Sequence, residues 1–210
     1  MEAVCVAFKA HMGWVNAVAV QVEADSPRPL LAQRIDLVEG EDREVLEPYH
    51  VAGGWQGLKS YKRPEDPEAI IRRGTAKQIS SARKRLKLYA RMLAHQELQW
   101  TGAAVLTSRG WLGEDLEHIL GAHAHIHVAE GEAIRNATRH ALDSLSITFV
   151  NQDEKSILPA ASEKMACSIE DCDSFMKTVK PPNTKSWRKE ERTIALGAWL
   201  NRHLPISSAH

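Results

Sequence analysis

Three short, Val-rich apolar runs open this chain, at residues 3–8, 14–22 and 30–38, and they constrain its fold more than any other feature. Each has strand length and strand composition. Gly13 separates the first run from the second, and Ser26-Pro27 with Pro29 marks the next connection as a turn. A buried short helix could imitate the first run, but the β-branched content and Gly13 favour a strand. The third run is interrupted by Gln33, Arg34 and Asp36. The expectation is an antiparallel three-strand meander.

After the meander the pattern changes. Residues 40–75 contain Pro48, Gly53, Gly54, Gly57, Pro64 and Pro67 and predict a long loop or a short-helix insertion at about 40–78. Within it, Asp66-Pro67-Glu68 and then Gly74 have the N-cap, N1-proline and C′-glycine arrangement of a short helix. Ile79, Ala82, Leu86, Tyr89 or Ala90, and Leu93 recur at helical spacing over about five turns. An apolar strand follows at 102–107, ended by Thr107, Ser108, Arg109 and Gly110. A helix from about Glu114 to Leu145, broken near His123 to His127, leads to a last strand at 146–150. Beyond Asp153 the chain is helical in pieces: Ser168 and Asp171 form a capping box, Pro181-Pro182 a stop, and Ser186 a cap for the terminal helix. These elements predict one domain over residues 1–210. They form one mixed α/β sheet with the first three strands antiparallel, the last two parallel to the first, flanking helices, and extra C-terminal helices.

Composition narrows the function classes. With 27 Lys plus Arg against 27 Asp plus Glu, the chain is neither basic nor acidic overall. Three cysteines without repeated spacing, Cys5, Cys167 and Cys172, indicate neither a disulfide framework nor a Cys-based zinc site, and they suggest a reducing compartment. No stretch approaches the roughly 20 apolar residues needed to span a bilayer. The expected setting is cytoplasmic, with no membrane partner.

Charge and histidine are nevertheless unevenly placed. Residues 59–91 hold 11 Lys plus Arg and 3 acids, a local charge of +8. Arg83, Lys87 and Arg91 are four apart, a stripe that suits either a phosphate backbone of DNA or RNA or a solvated helix face. The densest chemical feature is His123, His125, His127, Glu130 and Glu132, with His118 just before. On a helix, His123, His127 and Glu130 share one face, and on an extended segment the three histidines do. Such a group suits acid/base chemistry, a divalent transition metal, or the capping and bridging of two helices. His11, in the turn leaving the first strand, lies at the carboxyl edge where open α/β sheets collect ligands. Tyr49-His50 and Gly53-Gly54-Trp55 have the makings of a lid there, or of a surface loop. Trp14, Trp55 and Trp111 fall near strand ends, whereas Phe8, Tyr89, Met92, Trp100, Phe149 and Trp199 fall at core positions.

The order of elements resembles the ribonuclease-H-like fold of RuvC-type resolvases. In such chains the first strand ends in an Asp, followed by a Gly and an aromatic that open the second. Phe8 to Trp14 is similar in outline, and Arg34 to Leu37 fits the third strand. The His11-x-Gly13-Trp14 start and the Ile126 to Glu132 passage also resemble a small bacterial family lacking the usual catalytic carboxylates, a likeness that implies no particular activity. The RuvC likeness implies nucleic-acid partners. The usual two-metal chemistry, however, needs several carboxylates around two cations, and this chain offers Lys9 or His11 where the first Asp belongs. At the fourth strand's end it offers Thr107, Ser108 and Arg109, and only Glu190-Glu191 on the terminal helix supply acids. The expected function is therefore a nucleic-acid-associated protein without typical two-metal cleavage, bound through Arg83, Lys87 and Arg91. The alternatives are a noncanonical hydrolase or phosphodiesterase using His11, His127 and Glu130 in one polar pocket, with or without a divalent metal, and a non-enzymatic scaffold.

Overall fold

The structure is a computed structural model that describes residues 1–38, 40, 42–56, 59–108, 110 and 115–204. Gly57, Arg109, Trp111 and Glu114, singled out above, lie outside the described residues. Strand β1 (Glu2–His11) pairs antiparallel with β2 (Trp14–Gln21), and β2 with β3 (Pro29–Asp36). Two four- and five-residue helices, α1 (Arg43–Leu46) and α2 (Pro48–Ala52), precede a small hairpin, β4 (Trp55–Gln56) and β5 (Lys59–Ser60). Helix α3 (Pro67–His95) leads to β6 (Leu98–Thr107), and α4 (Leu116–Gly121) and α5 (His123–Ser144) lead to β7 (Phe149–Asp153). Three helices close the chain: α6 (Glu154–Lys164), α7 (Ile169–Thr178) and α8 (Lys189–Leu200). The five-stranded sheet has the order β3-β2-β1-β6-β7, with β6 parallel to β1 and β7 parallel to β6.

The central strand is buried on both faces, which explains why its sequence is a continuous apolar run rather than an alternating one. Val4, Val6 and Phe8 join the core beneath α3 and α5, with Leu86, Tyr89, Leu93, Ile134 and Leu142. Cys5 and Ala7 join the opposite core beneath α6, α7 and α8, with Ile157, Met176, Ile194 and Trp199. A third cluster of Ala52, Ile70, Leu120 and Ile126 ties α2, the start of α3, α4 and α5 together at one end. Phe8, Tyr89 and Trp100 form an aromatic group, with centroids 5.6 to 6.4 Å apart.

The structure corrects several local expectations. Gly74 does not end a short helix; it lies inside the 29-residue α3, which runs unbroken from its Asp66 cap. A Cβ at this position would stand 2.1 Å from the Glu44 carbonyl oxygen and 2.6 Å from the Pro48 Cβ, so this glycine lets α1 and α2 press against α3. The last strand begins at Phe149, not Ser146. Ser146 takes φ 55° and donates its N–H to the Asp143 carbonyl, while the Ile147 N–H reaches Leu142, so these residues close the end of α5. The third strand stops at Asp36, since the Leu37 and Val38 N–H groups both turn to the Gly13 carbonyl. Ser186 does not cap α8; that helix begins after Arg188, whose N–H donates to the Glu191 carboxylate at 2.9 Å. Ser168 caps α7 as expected, accepting from the Asp171 N–H.

Gly74→Ala gains about 1 kcal/mol of helix propensity but forces carbonyl and proline away from the new methyl. Overpacking of this kind costs about 1–3 kcal/mol. Urea unfolding is expected to show a net destabilisation, and a variant as stable as the wild type would mean that α1 and α2 do not rest on this glycine.

Candidate functional site

Parallel alignment brings the ends of β1, β6 and β7 to one edge, so that Lys9 pairs with Leu106 and Thr107 with Asp153. Side chains alternate along β1, and Lys9 and His11 share the face of Cys5 and Ala7, toward α6 and α8. There the Lys9 ammonium meets the Glu154 carboxylate at 2.6 Å and Glu190 at 3.3 Å. Glu190 also accepts from the Asn16 amide at 2.5 Å and lies 2.9 Å from His11 Nε2. His11 stacks on Trp14 with centroids 3.8 Å apart, and the Arg34 guanidinium covers the other part of this ladder, 4.2 Å from the Trp14 ring. Burial would push the Lys9 ammonium down, but Glu154 and Glu190 outweigh it and hold it above the usual lysine value. Burial likewise pushes the Glu190 carboxyl up, yet Asn16, His11 and Lys9 together hold it below the usual carboxylate range.

A second group occupies the other face. His123 and His127 stand one turn apart at the start of α5, and His50 reaches them from α2. The centroid separations are 5.3 Å for His50 and His123, 4.7 Å for His50 and His127, and 4.4 Å for His123 and His127. One ring nitrogen from each lies within 4.8 Å of the others. Glu130, 2% exposed, sits beside them. Its Oε1 accepts from the Tyr49 and His50 N–H groups at 2.8 and 3.0 Å and lies 3.2 Å from His50 Nδ1. Burial pushes the Glu130 carboxyl up, only partly offset by His50 and Tyr49. Burial and the neighbouring His50 and His123 push the His127 imidazole down, which favours its neutral form. The third small core explains the approach of α2: Gly53 packs so closely that an added Cβ would stand 2.7 Å from Ile126 Cδ1.

The three residues expected to form one polar pocket are placed on its rim. His11, His127 and Glu130 line a cavity of about 310 Å³ together with Met12, Ser108 and Arg135. Their polar atoms point different ways within it: His11 turns to Glu190, and Glu130 turns to α2. The parity of β1 is the reason, because it directs His11 to the face opposite α5. His125 lies apart, with its Nδ1 3.2 Å from the His118 carbonyl oxygen. Glu132 holds Arg135 and Arg139, each at 2.7 Å. Sequence reasoning passed over Glu154 and Asn16; the parity of Cys5, Ala7, Lys9 and His11 was the available signal that Lys9 and His11 belong together.

Arg83, Lys87 and Arg91 are exposed on α3, as expected for a stripe. They do not flank the edge just described. The C-terminal end of α3 adjoins the amino end of β1, where the Glu2 N–H donates to Glu97 at 2.7 Å. Lys87 stands about 20 Å along the helix axis from Gly74 and the short helices.

The lowered Glu190 value predicts acid sensitivity. A carboxylate held below its unfolded value of about 4.3 contributes stability that is fully present above that pH and is lost as pH falls through the lower folded value. Urea unfolding between about pH 5 and 2 is expected to show a steeper decline for the wild type than for Glu190→Gln. Identical profiles would mean that the Lys9, His11 and Asn16 contacts do not stabilise the ionised form.

No family model and no curated protein matches the chain. Solved structures do match, among them that of T. thermophilus RuvC in complex with Holliday junction substrate, at 10% identity and TM-score 0.50 over 94% of this chain and 90% of that one, and a second Thermus thermophilus RuvC structure, at 9% identity and TM-score 0.50 over 93% and 91%. Identity this low speaks to the fold alone. The sheet order, the strand directions and this likeness together establish that the chain has a ribonuclease-H-like fold of the RuvC type, reached with a widely divergent sequence.

Proposed function

We propose that this protein binds DNA or RNA and does not carry out typical two-metal phosphodiester cleavage. The observation that carries this reading is Lys9. At the end of the central strand, where the resemblance places an acid, an ammonium lies between Glu154 and Glu190. Two-metal chemistry requires anionic oxygens that share two cations and stabilise both the attacking and the leaving oxygen. An ammonium within 3.3 Å of both carboxylates already neutralises much of their charge and repels a divalent ion. The residues present therefore do not fit a two-metal centre.

The nucleic-acid part of the reading rests on the fold likeness and on Arg83, Lys87 and Arg91. The Holliday junction held by one structural neighbour makes a four-way junction the first probe, beside duplex DNA and RNA. Among the described residues no helix is long and apolar enough to cross a membrane, and a cytoplasmic location belongs to the same reading. Fluorescence anisotropy across a salt series is expected to show affinity that falls with salt. Reversing Arg83, Lys87 and Arg91 to Glu should flatten the slope of log affinity against log salt by about 2.7, at roughly 0.9 for each phosphate contact. Absence of salt-sensitive binding to any of the three probes would overturn binding, and Mg²⁺-dependent cleavage abolished by Glu190→Gln would overturn the second half of the proposal.

A hydrolytic site is a second reading, favoured by His11, His127 and Glu130 lining one cavity. On it, phosphodiester turnover of a chromogenic ester should fall by about 10²–10⁴-fold, the scale of general acid–base catalysis, in each of His11→Ala, His127→Ala and Glu130→Gln. Wild-type turnover in the His127 variant would remove it.

A further inference from the structure

We propose that His50, His123 and His127 bind one divalent transition-metal ion, of the zinc class, with an open coordination position facing the cavity at His11 and Ser108. This site is distinct from the carboxylate edge at Lys9 and goes beyond the nucleic-acid reading. Four observations converge on it.

The first is convergence itself: one nitrogen from each of the three rings lies within 4.8 Å of the others, and the rings stand 69° to 77° to one another. A tetrahedral ion with nitrogen ligands at about 2.0–2.1 Å brings such nitrogens to about 3.3 Å apart, a change within reach of small side-chain rotations. The second is an unsatisfied atom. His123 Nε2 is buried and has no hydrogen-bond partner among the described residues, a costly arrangement that a metal bond would relieve. The third is support behind the ligands. His50 Nδ1 lies 3.2 Å from the buried Glu130 carboxylate and 3.8 Å from Glu47. A proton held on Nδ1 by that carboxylate leaves the Nε2 lone pair for the ion, which is how outer carboxylates orient metal-binding imidazoles. The fourth is access. His50 is buried and His123 half-buried, but His127 is exposed and lines the cavity, so a fourth ligand, water or a small anion, can enter from that side.

The donor set also selects the ion. Three neutral imidazoles suit zinc and its neighbours, whereas Mg²⁺ and Ca²⁺ require oxygen ligands. Three histidines with no fourth side-chain ligand among the described residues leave the open position found in exchangeable rather than closed structural sites.

The test uses untagged full-length protein, stripped with a chelator and titrated with Zn²⁺ and with Co²⁺. One equivalent is expected to bind in competition with a chromophoric chelator, to raise the melting temperature, and to give a visible Co²⁺ spectrum. His123→Ala/His127→Ala should lose all three signals. Glu130→Gln should weaken binding by about 10–100-fold, while His125→Ala should leave it unchanged. His50→Ala removes a buried side chain, so the double variant on α5, with its fold checked by circular dichroism, decides the matter. Binding that survives in the double variant, or none at all in the wild type, overturns the proposal. Neither result bears on salt-dependent nucleic-acid binding, which is measured without added metal.

Discussion

Everything in this molecule is arranged about the burial of β1. Val4 to Phe8 are wholly buried, hydrogen-bonded to β2 on one side and β6 on the other, and covered by helices on both faces. A strand so placed must be apolar on both sides, and its neighbours must run where their connections allow. The short turn at Gly13 makes β2 antiparallel, and the long α3 crossover makes β6 parallel. Large-to-small changes such as Phe8→Ala in a core of this kind cost about 3–5 kcal/mol. The apolar run then ends abruptly at Lys9, where the strand leaves the core for a polar edge.

The edge at which β1, β6 and β7 terminate divides into two environments because the sheet has two faces. On the α6 and α8 side, one ammonium is set between two carboxylates, with an imidazole and an amide completing the network. On the α5 side, three imidazoles meet one another, and one of them, His50, rests against the Glu130 carboxylate, whose burial outweighs its hydrogen bonds. In the first environment an ammonium and an amide of the chain itself already occupy the carboxylate oxygens. The second is rich in lone pairs and open to the cavity, which makes it the more receptive of the two to an ion.

The basic stripe of α3 and the polar edge are also separated along the molecule. The exposed basic residues of α3 lie toward the amino end of β1, because the helix must travel back along the sheet before β6 can run parallel. A polymer contacting Arg83, Lys87 and Arg91 would need to extend around the protein to reach Lys9. The edge strand β3 is meanwhile closed by Asn183, whose side chain accepts the Ala32 N–H and donates to the Ala32 carbonyl. That pairing occupies backbone groups that would otherwise recruit another strand.

The sequence by itself determined the sheet. Strand-length Val-rich runs, turn residues at Gly13 and Pro27, and the helix–strand alternation after residue 79 allowed few topologies, since parallel strands need long crossovers. It also placed Lys9 and Thr107 where the resemblance leads one to expect carboxylates. Local reasoning failed where a residue's role depended on a distant neighbour: Gly74 looked like a helix end and proved to be a contact with the Glu44 carbonyl. It failed likewise at Ser146, where periodicity continued across the end of α5. Only the tertiary structure decided which polar groups meet. His11 and His127 are 116 positions apart in sequence and close at the cavity rim, yet the pleat sends His11 to Glu190. Gly53 and the small core around Ile126 bring His50 to His123 and His127. Hydrophobic periodicity is local and survives in the sequence, whereas the meeting of side chains depends on register, pleat parity and the close approach of packed elements, which exist only after folding.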